Sequence, residues 1–254
     1  MRLAGTRLRH HPSRSGLTKF AKGGPVWTGD VRWNEQWAAQ PLGWTRPRRI
    51  FVVAHGDLFH EGVPVEWIDR VWAVMAASRE HTFQVLTKRA HIMRAYVSTP
   101  TRARVREAMR TLQGEDVPDP DFLMRPGGWP LPNVWLGVSV EDQMRAEERI
   151  PLLRATPAAL RYLSVEPMLG PVCPWTASID ARTALLTGAH WAPEIDIDWV
   201  ICGGESGRRA RDMDPGWARE LQAACLARAV PFHLKQMARR APIPTDLAVQ
   251  EFPP

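Results

Sequence analysis

Six ionisable side chains in this chain, Asp57, Lys88, Glu141, Glu166, Glu205 and Lys235, each stand just after a short apolar run. Carboxylates and ammonium groups that meet in a partly desolvated mouth shift one another's pKa values. General-acid, general-base and amine-nucleophile roles become available there. Of 33 basic residues only four are lysine, Lys19, Lys22, Lys88 and Lys235, so arginine fills nearly every solvated basic position. A lysine in the body of the chain therefore reads as chosen for its own chemistry, a compact charge whose pKa falls on burial and which can form an imine. We take Lys88, Glu166 and Lys235 as catalytic candidates. Asp57, Ser139, Glu141, Gly203, Gly204, Glu205 and Gln236 are the ligand-binding candidates. The Gly203-Gly204 pair gives a backbone that turns sharply or approaches a ligand closely. A metal site at His55, Asp57 and His60 is the lesser reading, because such residues in a turn more often bond the local backbone. Glu141 is equally well placed to begin a helix.

These groups need strands to carry them. Ile50–Ala54, Phe83–Leu86, Val134–Val138, Arg161–Val165, Trp199–Cys202 and Pro231–Leu234 read as six buried strands, the first a continuous β-branched run. Between them lie helical patterns: one opened by Pro64 with apolar Val65, Ile68, Val71, Trp72 and Met75; one from Ala90 to Val97; and an arginine-rich one over 101–113. Another, with Met144, Ile150 and Leu153, is bent or restarted by Pro151, and a last one begins at Asp214-Pro215. Strands spaced 30 to 50 residues apart with helices between imply right-handed crossovers and a parallel sheet. The expected fold is an α/β, TIM-like (β/α) barrel, incomplete because only six strands can be counted. A doubly wound open sheet is the alternative. In either, groups at the carboxyl ends converge on one face. Residues 1–24 read as a basic arm or first helix, 25–238 as the barrel-like domain with an excursion over 168–197, and 239–254 as a tail.

The formal charge of +6 is uneven: residues 1–22 hold six basic residues and no acid. Such an arm can lie on nucleic acid phosphates, with the Arg102, Arg104, Arg106 and Arg110 helix beside it, although a solvated surface is the plainer reading. No apolar run approaches the roughly 18 residues of a membrane span, and the expectation is a soluble cytoplasmic protein. Cys173, Cys202 and Cys225 are too dispersed for a disulfide framework or a zinc ribbon.

Six motifs carry a resemblance: Asp57-Leu-Phe-His60, Gln84-Val-Leu-Thr-Lys-Arg89, Asn133-Val-Trp-Leu-Gly-Val-Ser-Val-Glu141, Leu163-Ser-Val-Glu-Pro-Met-Leu-Gly-Pro171, Trp199-Val-Ile-Cys-Gly-Gly-Glu-Ser-Gly207 and Phe232-His-Leu-Lys-Gln236. In sequence and order they resemble an uncharacterised family common in bacteriophages and prophages, whose members look like relatives of the radical S-adenosylmethionine barrels. The resemblance implies a pocket for S-adenosylmethionine or a similar nucleotide-like small molecule. It also implies a [4Fe-4S] centre on an N-terminal cysteine cluster. Arg2-Leu-Ala-Gly5 looks similar to the segment just after that cluster, so the centre is expected only with a segment upstream of this chain. A second departure is His55-Gly56, where the family more often has small residues. A nucleic-acid-associated protein without enzymatic activity and a lysine-dependent imine enzyme are the two other expectations.

Overall fold

A computed structural model describes residues 6–98, 100–112, 117–176, 197–207 and 209–254. In chain order they form β1 (Thr18–Ala21), β2 (Gly24–Trp27), α1 (Glu35–Ala38), β3 (Arg49–Phe51), α2 (Val65–Ala77), β4 (Thr82–Thr87), α3 (Ala90–Ser98) and α4 (Thr101–Arg110). There follow β5 (Val134–Ser139), α5 (Gln143–Arg154), β6 (Leu160–Val165), β7 (Trp199–Gly203), α6 (Pro215–Leu226) and β8 (Phe232–Gln236). Most of the expected excursion, residues 177–196, lies outside the described residues.

β3 to β8 make one parallel sheet in the order β3-β4-β5-β6-β7-β8. The order never reverses, so there is no switch point of the doubly wound kind. Successive right-handed crossovers then place the helices on one face of a curled sheet, and the result is a half-barrel with helices outside it. Alternation along each strand sorts the side chains. Val85, Leu136, Val138, Leu163, Val165, Val200 and Leu234 join helix residues such as Ile68, Trp72, Met93 and Leu221 in the core. Their neighbours turn to the concave face.

That concave face is filled at its lower end. Tyr162 and Trp199 stand in register on β6 and β7, and Trp199 packs against Trp135, His233 and Phe252. Phe252 comes from the C-terminal segment, which docks on the outer edge of β8 through Leu234 N–H to Val249 C=O, 2.9 Å, and Glu251 N–H to Phe232 C=O, 3.0 Å. The Arg49 guanidinium lies 4.5 Å from the Phe252 ring centre, so β3 and the chain after β8 meet beneath the opening. The segment read as a tail is thus a plug. Tyr162 is wholly buried, and among the described residues its hydroxyl has no hydrogen-bond partner. Its ring lies across β5 because Gly137 has no side chain there; a Cβ would sit 2.5 Å from the ring.

Several local expectations change. Among the described residues 6–24 there is no helix; the chain makes turns and then the β1–β2 hairpin with Lys22 and Gly23 at its tip. α5 runs unbroken through Pro151, and Met144, expected on its apolar face, is exposed. Val65 is likewise exposed at the first position of α2. β3 is shorter than its apolar run because Val53 takes a positive φ of 53° and leaves the strand. Among the described residues no helix is long and apolar enough to cross a membrane.

Gly137→Ala should cost about 1–3 kcal/mol through overpacking against Tyr162, read from urea unfolding. An unchanged midpoint would mean that the ring does not lie on Gly137.

Candidate functional site

Parallel strands in unbroken order bring their carboxyl ends to one rim, and every candidate side chain lies on it. Asp57, in the loop after β3, caps that loop and the next strand: one oxygen accepts from Phe59 N–H at 3.0 Å and the Thr87 hydroxyl at 2.7 Å. Its other oxygen pairs with Arg89 Nη1 at 3.0 Å, and Arg89 reaches on to Glu61 at 2.7 Å. Both Asp57 oxygens therefore already have partners within the protein.

Glu141 follows β5. Its carboxylate is nearly buried and holds two cations, the Lys88 ammonium on Oε1 and Arg149 Nη1 at 3.0 Å on Oε2. Arg149, from α5, also donates to the Ser139 carbonyl at 2.7 Å. Arg149 is as buried as Glu141, whereas about half of Lys88 is exposed. The arginine anchors the carboxylate, and the carboxylate aims the lysine at the opening. A buried carboxylate needs such company, since an unpaired one would neutralise instead.

Glu166 follows β6, and Lys235 lies on β8, two strands over. Their 3.1 Å pair crosses β7 at Gly203, where a Cβ would stand 3.4 Å from Glu166 Oε1. A Cβ at Gly203 would make only ordinary contact with the acid, so the crossing is compatible with a small side chain there as well. Gly204 differs: a Cβ there would collide with the Ala238 backbone nitrogen, and Gly204 trades hydrogen bonds with Gln236 through N–H to C=O at 2.9 Å and Nε2 to C=O at 2.7 Å. The close approach anticipated for Gly204 is to the protein's own chain. Below Lys235 on the same face is His233, half-buried, with Nδ1 buried and, among the described residues, without a hydrogen-bond partner. Desolvation, then the Lys235 charge, lowers its pKa, so the ring is neutral near pH 7.

Glu205 is tied to Arg211 on both oxygens, through the guanidinium and through Arg211 N–H at 2.8 Å. The Arg211 hydrogen bonds hold the Glu205 carboxyl below the usual range. Two backbone links knit these stations together, Leu169 N–H to Glu141 C=O at 2.8 Å and Met168 N–H to Gly203 C=O at 2.9 Å. Ser139 and Ser164 stand in register on the concave face, both buried.

The rim is therefore a series of acid–base pairs whose exposed cations are Lys88, Lys235 and Arg211, the first two being its ammonium groups. Sequence reading found the acids and lysines but missed Arg89, Arg149, Arg211 and His233. The arginines were lost in an arginine-rich chain; His233 was detectable, since residues two apart on a strand share a face with Lys235. Elsewhere a hollow of about 580 Å³ opens at the amino end of β8 between α6 and the C-terminal segment, lined by Leu226, Pro231 and Phe252, away from the rim.

Residues 2–245 match the model of a family described as "Protein of unknown function (DUF5131)". The chain belongs to this family. No curated protein and no solved structure gives a match. The match spans all six strands, so the whole rim lies within the DUF5131 region.

Glu141→Ala should cost about 3 kcal/mol because it strands Arg149 out of water, whereas Lys88→Ala should cost less than about 1 kcal/mol from its exposed position. Chemical unfolding of the two variants decides this; equal costs would mean that Arg149 does not depend on Glu141.

Proposed function

We propose that the strand-end basin binds a polar, nucleotide-like small molecule such as S-adenosylmethionine, in a half-barrel akin to the radical S-adenosylmethionine barrels of phage and prophage proteins. The observation that carries this reading is the pair of half-exposed ammonium groups, Lys88 and Lys235, each aimed by a more buried carboxylate on the same rim. Between strands about 4.8 Å apart, β4 and β8 are separated by some 19 Å along the sheet, less across its curve. That is the span of a nucleotide-sized ligand rather than a single ion.

In this reading Lys88 and Lys235 meet anionic groups of the ligand, and Glu166, released in part from Lys235, accepts from an amine or hydroxyl. Glu205 can do the same only by displacing Arg211. His233, neutral and next to Lys235, is suited to accept a proton from a group held there. S-adenosylmethionine, when bound, would supply an electrophilic sulfonium; the rim residues would orient it and screen its carboxylate. An iron–sulfur cluster does not fit the thiols described. Burial raises the pKa of Cys202 and pushes that of Cys225 up to about 12, so neither is thiolate-like, and Cys173 lies exposed on a separate loop, so the three sulfurs are not gathered.

Isothermal titration with S-adenosylmethionine and with adenine nucleotides should give heat with at least one, and Lys88→Ala and Lys235→Ala should each weaken binding about tenfold, or 1.4 kcal/mol. Heat with none of them, or affinities unchanged in both variants, would overturn the reading.

A further inference from the structure

The basin's acids and bases are paired with one another, and Arg104, Arg106 and Arg110 of α4 are paired as well. Arg104 pairs with Asp69 at 3.0 Å, and Arg110 pairs with Glu107 at 2.9 Å and Asp121 at 3.3 Å. The excess positive charge lies elsewhere. Residues 6–49 contain nine basic residues against Asp30 and Glu35, and Glu35 is taken by Arg70 of α2. Among the described residues none of those nine makes an ion pair with a carboxylate. Arg32 instead bonds the carbonyls of Pro12, at 2.9 Å, and Ser15, while Arg48 lies 4.4 Å from the Trp44 ring centre.

The β1–β2 hairpin adds a second, independent feature. Its register, Thr18 opposite Trp27 and Phe20 opposite Pro25, puts Phe20 and Trp27 diagonally on one face. Phe20 is 65% and Trp27 38% exposed. Lys19 projects from the other face and Lys22 from the tip. Arg14 reaches His55 at 2.7 Å, which fixes this segment beside the carboxyl end of β3 and hence beside the rim.

We propose that this N-terminal segment is a binding surface for single-stranded nucleic acid. Unpaired cations replace counterions along phosphates, and bare rings on one face offer a stacking platform that any unpaired base can use. The segment has no helix longer than the single turn of α1 to enter a duplex groove. Its aromatic face, where the other two residues are half-buried Thr18 and Pro25, is too narrow to sink into a lipid layer. The inference is independent of which small molecule the basin binds.

Fluorescence anisotropy of the full chain with a labelled oligo(dT) of about 20 nucleotides tests it, since a site of this kind spans fewer than that. Binding should weaken steeply with salt. Lys19→Ala/Lys22→Ala should reduce the slope of log K against log salt by about 1.4. Phe20→Ala and Trp27→Ala should each lower affinity roughly 5- to 100-fold, with the thermal midpoint unchanged because both rings are exposed. Arg110→Ala, on α4, should bind as the parent does. The proposal is overturned by salt-independent binding, by duplex bound as tightly as single strand, by a loss in Arg110→Ala equal to that in the hairpin variants, or by capture on phosphatidylserine vesicles without binding to the oligonucleotide.

Discussion

A parallel strand that is followed by its neighbour, five times without reversal, leaves the chain no choice about where its strand-end side chains go. All of them arrive at one rim, and whatever charges they carry have to be reconciled within a few ångströms at the edge of a low-dielectric core. The reconciliation gives the rim its paired charges. Glu141, with little access to water, is held by a buried arginine and a half-exposed lysine; Glu166 reaches over a glycine to a lysine two strands away. Each exposed ammonium is thereby set by a carboxylate that cannot easily move, an economical way to pre-orient a cation for a ligand.

The same topology creates the need for the plug. A half-barrel exposes the inner face of its sheet, and here that face carries Trp135, Tyr162 and Trp199. The C-terminal segment answers this by pairing with the edge of β8 and laying Phe252 against Trp199 and His233, with Arg49 of the opposite edge strand above it. The lower half of the concavity is closed and apolar; the upper half is left to the ion pairs. Basin and plug are two consequences of one unclosed sheet.

How much of this could be read from the chain follows from the range of each interaction. Strands were legible because their helix-facing residues are buried and most of their concave-face neighbours at least half-buried, which favours apolar runs, and β4, β5, β6 and β7 begin and end within a residue or so of those runs. The rim was legible for the same reason, since the residue after each run is at a strand end by construction. What was not legible depended on partners distant in sequence. Nothing near Arg149 marks it as the counter-ion of Glu141, and nothing in residues 249–252 announces an edge strand's cover. The hairpin is not legible in the sequence because its two strands are only four residues long, and the second opens on Gly24-Pro25, residues that disfavour a strand. Gly204 looked like a ligand contact when its smallness serves Ala238, a distinction only packing can make.

The central claim, that acids and amines from separate strands meet as pairs on this rim, is most directly tested by a double-mutant cycle on Glu166→Gln and Lys235→Met, measured by urea unfolding. The account predicts a favourable coupling of about 0.5–1 kcal/mol for this partly exposed pair. Additivity to within about 0.3 kcal/mol would contradict it.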